Sequence, residues 1–217
     1  FLNDNNTAHM SQYFQIHPEN PQKRLLRQAV DIVRDGGVVV YPTDSSYAIG
    51  CLLDDKTAME RIQRIRQLND KHNFTLLCRD LSEISHYAQV DNINYRLLKT
   101  LTPGAYTFIL KATREVPRRL QNPKRKTIGI RIPDHVVAQA FLQELNAPLV
   151  SSTLILPDED LPMTDPYQIR VYLEHQVDLV MDGGFCGHDP TTVIDLTGER
   201  PAILRQGKGD IDWLVEH

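Results

Sequence analysis

Gly36-Gly37-Val38-Val39-Val40-Tyr41-Pro42-Thr43-Asp44-Ser45-Ser46-Tyr47-Ala48-Ile49-Gly50-Cys51 is the stretch whose reading decides the fold. The diglycine ends whatever precedes it, and the β-branched run Val38-Val39-Val40 reads as a buried strand. Pro42 has no backbone N–H, so the sheet ladder cannot continue through it unchanged. The chain is released where four hydroxyls (Thr43, Ser45, Ser46, Tyr47) and the carboxylate of Asp44 follow in a row. Open α/β sheets bind their ligands at the carboxyl ends of core strands, where these groups would sit. A solvated Asp/Ser turn has the same composition, and local chemistry alone does not separate the two.

Around this stretch the chain reads as one α/β domain. Its 217 residues suffice for one good core, and 41% hydrophobic with 24% charged residues is ordinary for a globular protein. No apolar run approaches the ~18 residues of a membrane span. Residues 1–10 are polar and aperiodic, and His9-Met10 reads as a vector-derived remnant, which leaves 11–217 as the domain. Three cysteines, Cys51, Cys78 and Cys186, form no Cys-x-x-Cys pair. They argue against a disulfide framework or zinc ribbon and for a reducing, cytoplasmic setting.

The net charge of −4 hides an asymmetry. Between Lys111 and Arg131 stand eight basic residues against one acid, Glu115. Such an island fits a polyanion, either nucleotide phosphates or RNA, with Lys124, Arg125 and Lys126 as the candidate RNA contacts. A solvated basic loop is the alternative.

Apolar periodicity predicts helices over 21–35, 57–67, 82–87, 93–100, 136–145 and 167–175. Strands are expected at 38–40, 74–78, 106–110, 127–132, 148–153, 177–181, 192–196 and 202–204, with a terminal helical turn at 210–215. Residues 154–166, with three prolines and four acids, read as an exposed flap. The last two strands read as a hairpin across Thr197-Gly198, so the sheet is expected to be mixed. Asp195 in that hairpin is a candidate partner for Arg131 or Arg205, and His135 for capping the helix it opens.

No phosphate loop, Gly-x-Gly-x-x-Gly fingerprint, Gly-x-Ser-x-Gly elbow or His-Glu-x-x-His helix is present. The eight histidines have no ligand spacing, so no protein metal site is expected.

Four segments together resemble a known family. Pro42 to Gly50 is similar to the Pro-Thr-Glu-Thr-x-Tyr-Gly-Leu-Gly motif of YrdC-type proteins, with Asp44 in the place of Glu. Pro103 to Leu110 resembles Pro-Gly-x-x-Thr-x-Ile-Leu, and Gly129 to His135 resembles Gly-x-Arg-x-Pro-x-His. Thr191 to Asp195 resembles Ser-Thr-Val-Val-Asp and is followed by Ile203-Leu204-Arg205-Gln206-Gly207. The match runs in order over about residues 20–209, and its details point to the YciO branch.

The resemblance implies a single-domain twisted mixed β-sheet flanked by helices, YrdC/RibB-like, with a large basic concave cavity. It implies an ATP-dependent nucleotidyltransferase that makes threonylcarbamoyl-adenylate from L-threonine, bicarbonate and ATP, for N6-threonylcarbamoyl modification of tRNA adenosine. Thr43, Asp44, Ser46 and Tyr47 are then the threonine contacts. Arg64, Arg66, Arg131, Ser151, Thr153, Thr192 and Arg205 are the nucleotide and phosphate contacts, with Mg2+ accompanying the phosphates. No covalent nucleophile is needed, because the reaction brings two anions together and calls for cations and positioning.

Two departures fall at the phosphate end. The family's Lys-x-Arg pair is Arg64-Ile65-Arg66 here, and its Ser-x-Asn pair is Thr153-Leu154-Ile155. An enzyme weakened or redirected to another acceptor is therefore one expectation. A module that binds tRNA, double-stranded RNA or a nucleotide without efficient turnover is the other. Fold similarity to dihydroxybutanone-phosphate synthase gives a third and more distant reading.

Overall fold

The structure, a computed structural model, describes residues 10–69 and 72–214. The polar leader at 1–9 and the end of the terminal turn at 215 lie outside the described residues. In chain order the strands are β1 (Gln12–Gln15), β2 (Val39–Tyr41), β3 (Ala48–Leu52), β4 (Thr75–Leu77), β5 (Tyr106–Lys111), β6 (Thr127–Arg131), β7 (Leu149–Thr153), β8 (Leu179–Asp182), β9 (Thr192–Asp195) and β10 (Ala202–Arg205). The helices are α1 (Lys23–Arg34), α2 (Lys56–Arg66), α3 (Leu81–Tyr87), α4 (Asn92–Leu101), α5 (Val136–Leu145) and α6 (Pro166–Leu173).

All ten strands join one sheet in the order β1-β8-β2-β3-β7-β4-β6-β5-β9-β10. It is mixed: β8 pairs in parallel with β1 and β2, while β3 is antiparallel to both β2 and β7. The β9–β10 hairpin is antiparallel, as its turn sequence requires.

Two strands correct the sequence reading. Ala48–Leu52, to which the sequence reading assigns no element, is a central strand. It carries no alternation because it is covered on both faces, and Gly50 in its middle has no room for a side chain. A Cβ there would lie 2.7 Å from the Val150 carbonyl oxygen and 3.0 Å from the Tyr41 ring. Gln12–Gln15 is an edge strand of four residues, too short for its Tyr13-Phe14 pair to give a periodic signal. The 154–166 segment is only partly a flap. Leu154 is fully buried and anchors it, while residues 158–161 are exposed.

Side-chain alternation sorts the core into two layers. Val38, Val40, Ile49 and Cys51 face the layer made with α2, α3, α4 and α6, where Ile62, Ile84, Leu98 and Ile169 are fully buried. Val39, Tyr41, Leu77, Leu149 and Leu179 face the opposite layer, under Ala29 and Val33 of α1 and Val137 and Phe141 of α5. These two helices cover only part of their face. Two residues further along β4 and β7, Leu77 and Leu149 give way to Thr75 and Ser151, which line an open hollow.

Candidate functional site

The hollow is a cavity of about 580 Å³ over the half of the sheet that α1 and α5 leave bare, a size ordinary for small-molecule sites. Its floor follows from strand register. Ser151, Thr75, Gly129 and Ile109 lie side by side across four neighbouring strands. Because these residues are mostly small and polar, the sheet face there is a shallow trough. Arg66, Arg125, Arg131 and Arg205 stand around it, and no carboxylate is among the lining residues.

The hydroxyl loop forms one wall. Thr43 folds it by donating from Oγ1 to the Ser46 carbonyl at 2.6 Å and accepting the Ser45 and Ser46 amides at 3.2 and 3.1 Å. Thr43, Ser45 and Ser46 line the cavity, and the Ser46 hydroxyl has no partner among the described residues. Asp44 turns away to organise the wall. Its carboxylate accepts from Arg131 and from the Asp134 amide, and its carbonyl accepts from Lys208 Nζ. Tyr47 also lies behind the wall, with its hydroxyl donating to the Gly184 carbonyl at 2.6 Å.

Arg131 lies where apolar cover and cavity meet, only 7% exposed. One terminal nitrogen pairs with Asp44 and the other donates to Ser45 Oγ at 3.0 Å, while Nε has no partner. Burial pulls its pKa below the ordinary value, and the Asp44 charge opposes that pull.

The opposite wall comes from the end of α2 and the start of β4. Arg66 donates from Nε to the Ile155 carbonyl at 3.2 Å and from a terminal nitrogen to Ser152 Oγ. Ser152 Oγ also lies 3.1 Å from His72 Nε2. Burial and the Arg66 charge push the His72 pKa down to about 4, so the imidazole is neutral at pH 7. Ile155 presents an apolar side chain beside these groups.

The remaining expectations separate by face. Ser151, Thr153 and Arg205 line the cavity, and Arg205 donates from Nε to the Thr191 carbonyl at 3.0 Å. Arg64, two positions from Arg66 on a helix, points to the outer surface beside Glu60, Gln63 and Gln67. Thr192 is fully buried, with its hydroxyl donating to the Gly209 carbonyl at 2.6 Å, and Thr191 takes the cavity position. Lys124 and Lys126 are exposed and do not line the cavity, whereas Arg125 does. Asp195 pairs with Arg125 at 2.8 Å rather than with Arg131 or Arg205. His135 caps α5 through Nδ1 and the Ala138 amide at 3.4 Å.

Sequence reasoning names Ser45 among the loop hydroxyls without giving it a contact, and does not place His72, Ser152 or Thr191 at the site. Strand parity could have found Thr191, because it alternates in phase with Val193, another lining residue. Nothing in the sequence marks His72, since it stands in an irregular segment. Among the described residues no cluster of His, Cys, Asp or Glu could hold a metal ion, and no helix is long and apolar enough to cross a membrane.

Comparison with known proteins places matches over most of the chain. A family model named Sua5_yciO_yrdC, described as telomere recombination, matches residues 31–207. The Escherichia coli protein YciO is 60% identical over 202 residues, covering 93% of this chain and 98% of that one. The E. coli YciO crystal structure superposes with a TM-score of 0.89 over 94% of this chain and 98% of its own. A Vibrio vulnificus threonylcarbamoyl-AMP synthase is 27% identical over 186 residues, covering 84% of this chain and 98% of that protein. The crystal structure of P. abyssi Sua5 complexed with L-threonine has a TM-score of 0.83 at 22% identity, covering 91% of this chain and 58% of the other.

Proposed function

From the premise that the chain belongs to the Sua5/YciO/YrdC family, we propose that it condenses L-threonine, bicarbonate and ATP into threonylcarbamoyl-adenylate and pyrophosphate. The observation that carries this is a cavity ringed by four arginines with no lining carboxylate, bounded on one side by a hydroxyl loop. Four guanidinium groups suit a polyphosphate, whose oxygens accept paired N–H bonds. Small hydroxyls suit an amino acid. The residue-level resemblance of the Pro42 to Gly50 segment, and the L-threonine named with P. abyssi Sua5, support threonine as that amino acid.

The chemistry then rests on position and charge. The carbamate oxygen attacks the α-phosphorus, the bond to the bridging oxygen breaks, and pyrophosphate leaves. Arg66 and Arg205, neither with a carboxylate partner among the described residues, are free to offset the charge of the phosphates. Arg131 is already ordered by Asp44 and Ser45, so little further entropy is lost when its guanidinium edge meets an anion in the cavity. Magnesium enters as part of the MgATP substrate. With no carboxylate among the lining residues, the cavity offers the hydroxyls of Ser151 and Thr153, and the ion would be held by phosphates and water.

A second reading is binding of tRNA or double-stranded RNA across the rim, where exposed Lys124 and Lys126 flank Arg125. Pyrophosphate release tests the first reading: it must require ATP, threonine and bicarbonate together. ATP binding without turnover, or RNA affinity without either, would replace it by the second.

A further inference from the structure

We infer that Ser152 and His72 form a proton relay on the cavity wall, serving the step in which the amino group takes up bicarbonate. The inference rests on the adenylate reading and concerns the reaction that precedes adenylation. Its basis is a directed chain of hydrogen bonds. Arg66 has only N–H donors, so Ser152 Oγ accepts from it. His72 Nε2 lies 3.1 Å from the same oxygen, within reach of the serine proton. The relay uses the neutral imidazole in the tautomer that leaves Nε2 as acceptor, with Nδ1 carrying the hydrogen. Ser152 and His72 both line the cavity beside Arg66, which is one of the phosphate candidates.

Carbamate formation needs such a pair. The neutral amine attacks the bicarbonate carbon, and the nitrogen that forms the new C–N bond becomes strongly acidic. A C–O bond must break, and its oxygen must leave as water rather than hydroxide. In the relay the nitrogen proton passes to Ser152 as the serine proton passes to His72. The same proton is then returned to the departing oxygen. Atoms balance without another reactant: amine plus bicarbonate gives carbamate plus water, and His72 ends as it began.

The neighbouring charge makes the relay responsive to nucleotide. Burial first and the Arg66 charge second hold His72 low in basicity, and a polyphosphate anion bound to Arg66 would offset the second of these. The imidazole is then a better proton acceptor when ATP is present than when it is absent. Among the described residues, the side chains facing it are Arg66 from α2, Ser152 from β7 and the Phe74 ring, which meets it edge-on with centroids 5.0 Å apart. Ser152 is where the proton changes hands, and His72 is a positioning residue that acts through it.

The test uses His72→Asn and Ser152→Ala in the full chain, with pyrophosphate release measured against ATP, threonine and bicarbonate. General acid–base help of this kind is worth about 10²–10⁴-fold. His72→Asn should therefore lower kcat by about a hundredfold with the KM for ATP unchanged. Imidazole in the buffer should restore part of the rate to His72→Asn and none to Ser152→Ala. Threonine supplied as its preformed carbamate should bring both variants close to wild type. Full activity in either variant overturns the relay. So does a slow, folded His72→Asn protein that neither imidazole nor preformed carbamate rescues. A wild-type protein that binds ATP but releases no pyrophosphate would overturn the adenylate reading itself, an outcome visible before any variant is made.

Discussion

Replacing Asp44 by alanine is the perturbation whose magnitude the structure fixes best. The Asp44 carboxylate is the one acidic partner of Arg131 among the described residues, and side-chain exposures of 8% and 10% put both groups in the interior. Removing one partner of a buried pair leaves an uncompensated charge and costs about 3–5 kcal/mol. Unfolding entropy near 60 °C is about 2.1 cal/mol/K per residue, or roughly 0.46 kcal/mol/K for 217 residues. The Tm of Asp44→Ala should thus fall by about 7–11 °C in a thermal melt followed by circular dichroism. Adding Arg131→Met should recover part of the loss, since the second change removes the stranded charge. Pyrophosphate should raise the Tm of Asp44→Ala more than that of wild type, because an anion can then satisfy Arg131. A single variant within about 2 °C of wild type would refute the reasoning, as would a double variant less stable than the single.

Arg66→Met and Arg205→Met should each weaken ATP binding by about ten- to a hundredfold, since a hydrogen bond to a charged group contributes about 1.5–3 kcal/mol; calorimetric titration checks this, and Arg64→Met should leave the affinity unchanged. Ile155→Asn places an amide beside Arg66, and pyrophosphate release should rise about tenfold if the phosphate end lacks that contact. Stability should fall as pH drops from about 6.5 towards 4, because the unfolded chain protonates His72 at its ordinary value while the folded site resists until about pH 4. Urea midpoints across that range should show the slope, and His72→Asn should flatten it. Gly50→Ala should cost about 1–3 kcal/mol or prevent folding, since its Cβ would press on the Val150 backbone.

Much of this architecture is legible in the sequence, and the gaps share one cause. The strands at Tyr106–Lys111, Thr127–Arg131 and Leu149–Thr153 could be read because each is a β-branched or apolar run bounded by turn residues. Ala48–Leu52 could not, because a strand buried on both faces and built around a glycine has neither alternation nor bulk. At the site, the residue types were readable but their facing was not. Thr191 and Thr192 are equivalent in chemistry, yet period-two alternation sends one into the cavity and the other to the Gly209 carbonyl. Arg64 and Arg66 separate in the same way, by about 200° around a helix. Asp44 was expected to meet threonine. Its partnership with Arg131 depends on β6 ending beside the loop, a contact 87 positions apart in the chain.

The central claim is that this cavity joins an amino-acid carbamate to the α-phosphate of ATP. Mass spectrometry of the nucleotide product formed from 13C-bicarbonate, threonine and MgATP tests it most directly. The account predicts an adenylate one mass unit heavier than that formed from unlabelled bicarbonate, lost when threonine is omitted and reduced in Arg66→Met. A protein that binds ATP, as its melting temperature would report, yet yields no labelled nucleotide under these conditions would contradict it.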